Sequence, residues 1–145
     1  MIEVKESVIN QLRTHCQIDG DEIGGVLTGS ITSENRLRIS NVSEPCTILN
    51  LSNRCACIRD ASRANKFIQE DFERSDHTRI YLGEWHTHPE NDPHPSSVDI
   101  ESIIEIYNKS DIVIDGVVLV IVGLKSNYYG FYDGRSMKEK SITIV

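Results

Sequence analysis

Residues 83–99 read Gly-Glu-Trp-His-Thr-His-Pro-Glu-Asn-Asp-Pro-His-Pro-Ser-Ser-Val-Asp. Within them His86-Thr-His88-Pro89 is followed by six residues, then Ser96, two more residues and Asp99. This stretch constrains the chain more than any other. The apolar run Ile80-Tyr-Leu-Gly-Glu-Trp ahead of it predicts a strand over residues 79–86, ending at the histidines. Pro89, Pro93 and Pro95 then hold a loop out of regular structure. Ser96-Ser-Val-Asp99 has the form of a capping box and predicts a helix from there to about residue 108.

The strand period of two puts His86 and His88 on one face, as two ligands of one metal ion require. Alone, a His-x-His pair is more often an edge-strand or satisfied core pair. The carboxylate one short loop later changes that balance. Two imidazoles and Asp99 supply three protein ligands to zinc and leave a fourth tetrahedral position for water, the mark of a catalytic rather than a structural site. Water held that way has a pKa near ~7. The stretch therefore points to a metallohydrolase. Asp99 has a competing role as the acid of the capping box, and Ser96 as the N-cap. A hydroxyl both accepts and donates, so Ser96 can cap the helix and also donate to an oxyanion.

Such a site needs a carboxylate to take a proton from water and return it to the leaving amine. Glu22 and Glu84 are the candidates. Glu84 lies two residues before His86, on the same face but deeper along the strand. Glu22 opens Glu22-Ile-Gly-Gly-Val-Leu-Thr-Gly29, a glycine-punctuated strand over residues 23–30, where the missing side chains offer close backbone approach to a substrate chain.

Other patterns fill in the chain. Residues 1–4 and 36–42 read as strands, and Val8, Leu12 and Cys16 recur at helical spacing over residues 7–17. Residues 44–53 read as loop and 55–59 as strand, and Ala64, Phe67, Ile68 and Phe72 predict a helix over 61–75. Residues 117–123, 128–133 and 142–145 complete the strands, with Asp133-Gly134 as the turn between the last two. Strands alternating with helices predict an α/β or α+β class with a mixed sheet. One domain, residues 1–145, suits this length.

Fifteen Lys and Arg against 22 Asp and Glu give a net charge of -7, which argues against a nucleic-acid partner. No apolar run is long enough for a membrane span, and the first residues have no basic, then apolar, leader. A cytoplasmic setting with reduced thiols follows for Cys16, Cys46, Cys55 and Cys57. Cys55-Ala-Cys57 reads as two small hydrophobes on one strand face, in preference to a metal pair. His94 reads as an exposed loop residue, His15 and His77 as surface, and Trp85, pointing away from the histidines, as core.

The whole pattern resembles the JAMM (MPN+/JAB) zinc isopeptidases. Their signature is a glutamate ahead of an early glycine-rich strand, then His-x-His-Pro, six residues, Ser, two residues, Asp; the chain reproduces it from His86 to Asp99 without a gap. The resemblance implies zinc held by His86, His88 and Asp99, Glu22 as general acid/base, and Ser96 supporting the oxyanion. It also implies a JAB/MPN domain with a mixed sheet flanked by helices, arranged as in cytidine deaminases. Tyr81-Leu-Gly-Glu-Trp-His-Thr-His-Pro89 is most similar to the small prokaryotic JAB peptidases encoded beside E1/E2-like proteins in CBASS antiphage and related systems. By that likeness the substrate is the C-terminal tail of a ubiquitin-like or similarly conjugated protein, with a CD-NTase cyclase encoded nearby. Alternatives are a JAB peptidase acting on a sulfur-carrier protein and an inactive MPN scaffold. Only residues 110–116 stand where eukaryotic members insert a polyubiquitin-gripping segment.

Overall fold

The computed structural model describes residues 1–47 and 60–145. They form one mixed sheet of eight strands with three helices. In chain order these are β1 (Ile2–Val4), α1 (Glu6–Arg13), β2 (Gly24–Ile31), β3 (Leu37–Val42), α2 (Ala61–Arg74), β4 (Ile80–Thr87), α3 (Ser97–Lys109), β5 (Val117–Val122), β6 (Asn127–Tyr132), β7 (Met137–Glu139) and β8 (Ile142–Ile144). The spatial order is β7-β6-β5-β4-β2-β3-β1-β8, so the strand carrying the histidines lies in the middle.

The run Val-Val-Leu-Val-Ile-Val of β5 has no polar face because both of its faces are covered. Val118, Val120 and Val122 pack with Val8 and Leu12 of α1, together with Leu27, Leu82 and Trp85. Val117, Leu119 and Ile121 pack on the other side with Ile103 of α3, Tyr128 and Tyr132. Helix α2 covers that second side further along, where Ala64, Phe67 and Ile68 meet Val26, Cys46 and Tyr81. Trp85 lies on the α1 side, as its strand position predicts, so the residues before and after it, Glu84 and His86, face the side of α2 and α3.

Two strands have no room for a side chain at a crossing. A Cβ on Gly83 would lie 1.9 Å from the Val118 carbonyl oxygen of β5. One on Gly25 would lie 2.2 Å from Ser43 Oγ and 2.8 Å from Trp85 Nε1. At Gly25 the missing side chain also makes room for the protein's own chain.

Asp71 of α2 ties three elements together. Its buried carboxylate accepts from Thr28 Oγ1 (2.7 Å), Asn41 Nδ2 (2.9 Å) and both Arg79 Nε and Nη2 (2.8 Å each). Burial alone would raise its pKa, but these donors win and hold it at about 2.

Three details depart from the sequence reading. Helix α1 stops at Arg13, short of residue 17. The Arg13 guanidinium reaches across to the carbonyls of Gly123 and Leu124 (3.0 and 3.1 Å), and Cys16 Sγ donates to Gly123 O after the helix has ended. A strand unannounced by the sequence, β7, follows Asp133-Gly134, so that turn joins β6 to β7; β8 lies at the opposite edge, parallel to β1. The turn itself is local chemistry: Asp133 Oδ1 accepts from Arg135 N and Ser136 N, and Gly134 takes φ +93°. The predicted strand over residues 55–59, the Cys55/Cys57 pair and most of the predicted loop over 44–53 lie outside the described residues. No described helix is long and apolar enough to cross a membrane.

Candidate metal centre

The site is built where β4 ends between β2 and β5. Antiparallel pairing sets Gly24 opposite His86 and Gly25 opposite Trp85. Beyond the ladder, Thr87 N donates to Ile23 O (3.0 Å), and Ile23 N donates to Thr87 Oγ1 (3.1 Å). This register carries Glu22, 64 residues upstream of His86, to the level of the histidines. On the other side His88 N donates to Val122 O (3.0 Å), extending the parallel β4–β5 pairing. The end of β4 is therefore held on both flanks, His86 by pairing with β2 and β5 and His88 by its bond to Val122.

Asp99 arrives from α3. Ser96 is the N-cap: its Oγ accepts from Asp99 N (3.1 Å), and Asp99 Oδ2 accepts from Ser96 N (2.8 Å). This reciprocal box fixes the Asp99 carboxylate over the end of β4. Its capping and facing roles do not exclude each other, because the carboxylate has more acceptor positions than the cap uses.

The donor atoms converge. His86 Nε2 and His88 Nε2 are 3.2 Å apart, His86 Nε2 is 3.2 Å from Asp99 Oδ1, and His88 Nε2 is 3.0 Å from Asp99 Oδ2. Ligand atoms on a tetrahedral zinc with bonds of 2.0–2.1 Å stand about 3.3 Å apart. The His86–His88 separation is close to one such edge, and the Asp99 carboxylate faces the pair with one oxygen toward each imidazole, near enough to supply a third ligand. Glu22 completes the group: one ligand atom from each of Glu22, His86, His88 and Asp99 lies within 4.8 Å of all the others, and all four residues are buried. Glu22 Oε1 is buried with no hydrogen-bond partner. A buried carboxylate oxygen left unmatched is costly, and beside a cation-binding set it has an evident counterpart.

The electrostatics separate the two carboxylates. Burial pushes Glu22 up to about 7, with the negative charges of Asp99 and Glu90 adding and His88 opposing. Burial acts the same way on Asp99, but the hydrogen bonds and charges of His86 and His88 and the bond from Ser96 outweigh it, so its pKa falls well below the usual carboxylate range. Burial disfavours the His88 imidazolium, yet Asp99, Glu22 and Glu90 together raise its pKa. One carboxylate is set to stay ionised beside the histidines. The other is poised to gain and lose a proton near neutral pH.

Of the residues singled out from sequence, the structure brings together Glu22, His86, His88 and Asp99, with Ser96 at the rim. Glu84 is buried beside them and accepts from the Tyr81 hydroxyl, but it stands outside the four-residue group. It lines a cavity of about 420 Å³ that runs from Gly24 and Gly25 past His86 and Asp99 to Ile106 of α3. His94 is exposed, with its ring 6.2 Å from that of Tyr128. His77 is exposed and bound to Glu73. His15 is not plain surface: it is half-buried and stacks on Trp85 with ring centroids 5.1 Å apart. The sequence reading missed Glu90, whose Oε1 lies 2.8 Å from His88 Nδ1. The signal was present as an acid directly after Pro89, two residues from a histidine.

Residues 5–138 match the family described as prokaryotic homologs of the JAB domain. The chain belongs to this family. Among curated JAB relatives, a Vibrio cholerae serotype O1 protein named CD-NTase/cGAS isopeptidase is 32% identical over 132 residues, covering 90% of this chain and 81% of its own. An Escherichia coli protein of the same name is 29% identical over 147 residues, covering 98% and 90%. Among solved structures, the solution structure of a Desulfitobacterium hafniense protein superposes with a TM-score of 0.66 at 16% identity, over 100% of this chain and 93% of that one. At that identity the likeness speaks for the fold alone. Membership in the JAB family fits the eight-stranded mixed sheet and the position of the clustered residues, and it identifies the chain as a hydrolase of the isopeptidase type with a metal-binding group.

Proposed function

We propose that this JAB protein is a zinc-dependent isopeptidase that cleaves after the C-terminus of a ubiquitin-like or similarly conjugated protein, reversing conjugation or processing a precursor in a bacterial antiphage, CBASS-like system. The observation that carries the reading is the convergence of His86 Nε2, His88 Nε2 and the Asp99 carboxylate, at separations of 3.0–3.2 Å, beside a buried Glu22 whose Oε1 lacks a partner. The names of the V. cholerae and E. coli relatives support the substrate class, with a CD-NTase cyclase as the conjugated partner. The compartment that fits this partner is the cytoplasm.

When bound by His86, His88 and Asp99, zinc polarises a carbonyl and makes hydroxide available near neutral pH. The remaining work falls to the chain. Glu22 takes one proton from the attacking water as the new C–O bond forms at the scissile carbonyl. It then gives that proton to the amine nitrogen as the C–N bond breaks, and is ready for another cycle. Ser96 Oγ already accepts from Asp99 N, so its hydrogen is available to the developing oxyanion. The cavity beside His86, floored by Gly24 and Gly25, accommodates an extended tail.

The test is release of a lysine-linked CD-NTase conjugate by the purified protein. Release with zinc, none after chelation, and recovery on adding zinc back are expected. Undiminished release by the metal-stripped protein would overturn the reading.

A further inference from the structure

We propose that Glu90 is a positioning residue that fixes the His88 imidazole from behind, so that its Nε2 faces the metal position. The inference rests on the metal site assigned above, and it concerns the chain's own residues. His88 stands between two carboxylates. Asp99 Oδ2 is 3.0 Å from Nε2, on the cluster side, and Glu90 Oε1 is 2.8 Å from Nδ1, on the far side. An imidazole ligating through Nε2 must carry its proton on Nδ1. A carboxylate accepting from that N–H selects this tautomer, holds the ring plane and makes Nε2 a better donor.

Half of the Glu90 side chain is exposed, 55% against 6% for His88, so a freely mobile carboxylate would hold the ring weakly. The backbone under it is not free. Glu90 O accepts from Leu124 N (2.7 Å), and Asn91 O accepts from Lys125 N (3.1 Å) and Ser126 N (2.9 Å). Pro89 restricts the residue ahead of it. The segment after His88 is thereby sewn to the β5–β6 connection, as His88 N is to Val122 O. Glu90 and the ring that it touches are anchored to the end of β5 and the connection that follows it. Because these anchors are main-chain bonds, replacing the Glu90 side chain leaves them in place.

Zinc affinity of the full-length chain, measured by competition with a chromophoric chelator, is the test, and it needs no substrate. Glu90→Ala is expected to bind zinc about 10- to 100-fold more weakly. Glu90→Gln, whose amide oxygen still accepts from Nδ1–H, should recover most of that loss. Asp92→Ala loses the loop bond from Ser126 Oγ (2.7 Å) but touches no histidine, and it should bind zinc as the wild type does. In nitrogen-15 spectra of the zinc-loaded protein the His88 Nδ1 proton should be seen in the wild type and weaken by exchange in Glu90→Ala. Wild-type affinity in Glu90→Ala, or an equal loss in Asp92→Ala, would overturn the inference by reducing Glu90 to a general loop contact. Absence of zinc binding by the wild type would overturn the site and this inference together. Tight zinc binding with the expected variant pattern but no cleavage of any conjugate would overturn the proposed function and leave this inference standing.

Discussion

Ser96 and Asp99 hold each other: Ser96 N donates to Asp99 Oδ2 at 2.8 Å, and Asp99 N donates to Ser96 Oγ at 3.1 Å. The same Asp99 carboxylate faces both histidines, at 3.2 and 3.0 Å. A helix cap thus doubles as the arm that carries a metal ligand. The macrodipole at the start of α3 favours the ionised carboxylate there, as the site requires. Stability of α3 and geometry of the site are coupled through two residues.

Substitutions at Ser96 separate the two roles. Ser96→Ala removes the cap acceptor and should cost about 0.5–2 kcal/mol, whereas Ser96→Gly should cost only a few tenths. Both should retain zinc, because the bond from the backbone N of residue 96 to Asp99 persists. Both should lose about 10²- to 10³-fold in turnover if the hydroxyl donates to the oxyanion. Thermal melting, metal content and turnover on the same preparations check this; full activity in Ser96→Gly would remove Ser96 from the chemistry.

The metal-free protein should lose stability as pH rises from 5 to 8. The folded-state pKa of Glu22 is raised from 4.5 to about 7, so its favourable contribution is complete below 4.5 and is lost as pH rises through 7. His88, raised above its ordinary 6.5, acts in the same direction: its contribution is complete below 6.5 and is lost as pH rises through its folded-state value. Asp71, lowered from 3.8 to about 2, contributes fully above 3.8 and does not vary in this window. Zinc must displace protons from the histidines, so the stabilisation that it adds should grow with pH. Melting curves with chelator and with zinc should therefore diverge as pH rises, and Glu22→Gln should flatten the chelated series. A chelated protein that becomes more stable toward pH 8 would contradict these assignments.

Gly83→Ala should be among the most damaging single changes outside the donor set. Its Cβ would meet the Val118 main chain at 1.9 Å, and backbone cannot move aside as a side-chain end can. A loss of about 1–3 kcal/mol or more is expected, with weaker zinc binding, because any shift of β4 away from β5 carries His86 with it. Equilibrium denaturation and metal titration measure both effects, and a wild-type stability would show that β4 and β5 are spaced more loosely than described.

What was legible in the sequence was what is local. The His86/His88 face follows from strand period, the Ser96–Asp99 box from its spacing, and the α2 and β5 elements from apolar pattern. The place of Glu22 was not local: it depends on the β2–β4 register, and only the family likeness singled it out over Glu84. The premature end of α1 was hidden because Arg13 finds its partners 110 and 111 residues away. Strand β7 has two exposed residues of three and, among the described residues, lies at the sheet edge beside β6, so no apolar pattern announces it. Glu90 was not singled out, because its contact with His88 depends on how the loop is bonded to the β5–β6 connection.

The most direct test of the central claim is the cut made in a fusion of a conjugated protein's C-terminal tail to a reporter, mapped by intact mass for wild type, Glu22→Ala and Glu84→Ala. One cut is expected, immediately after the tail's last residue, slowed about 10²- to 10⁴-fold in Glu22→Ala with zinc still bound, and much less affected in Glu84→Ala. Scattered cuts with no preference for the junction, or normal turnover by Glu22→Ala beside a dead Glu84→Ala, would contradict it.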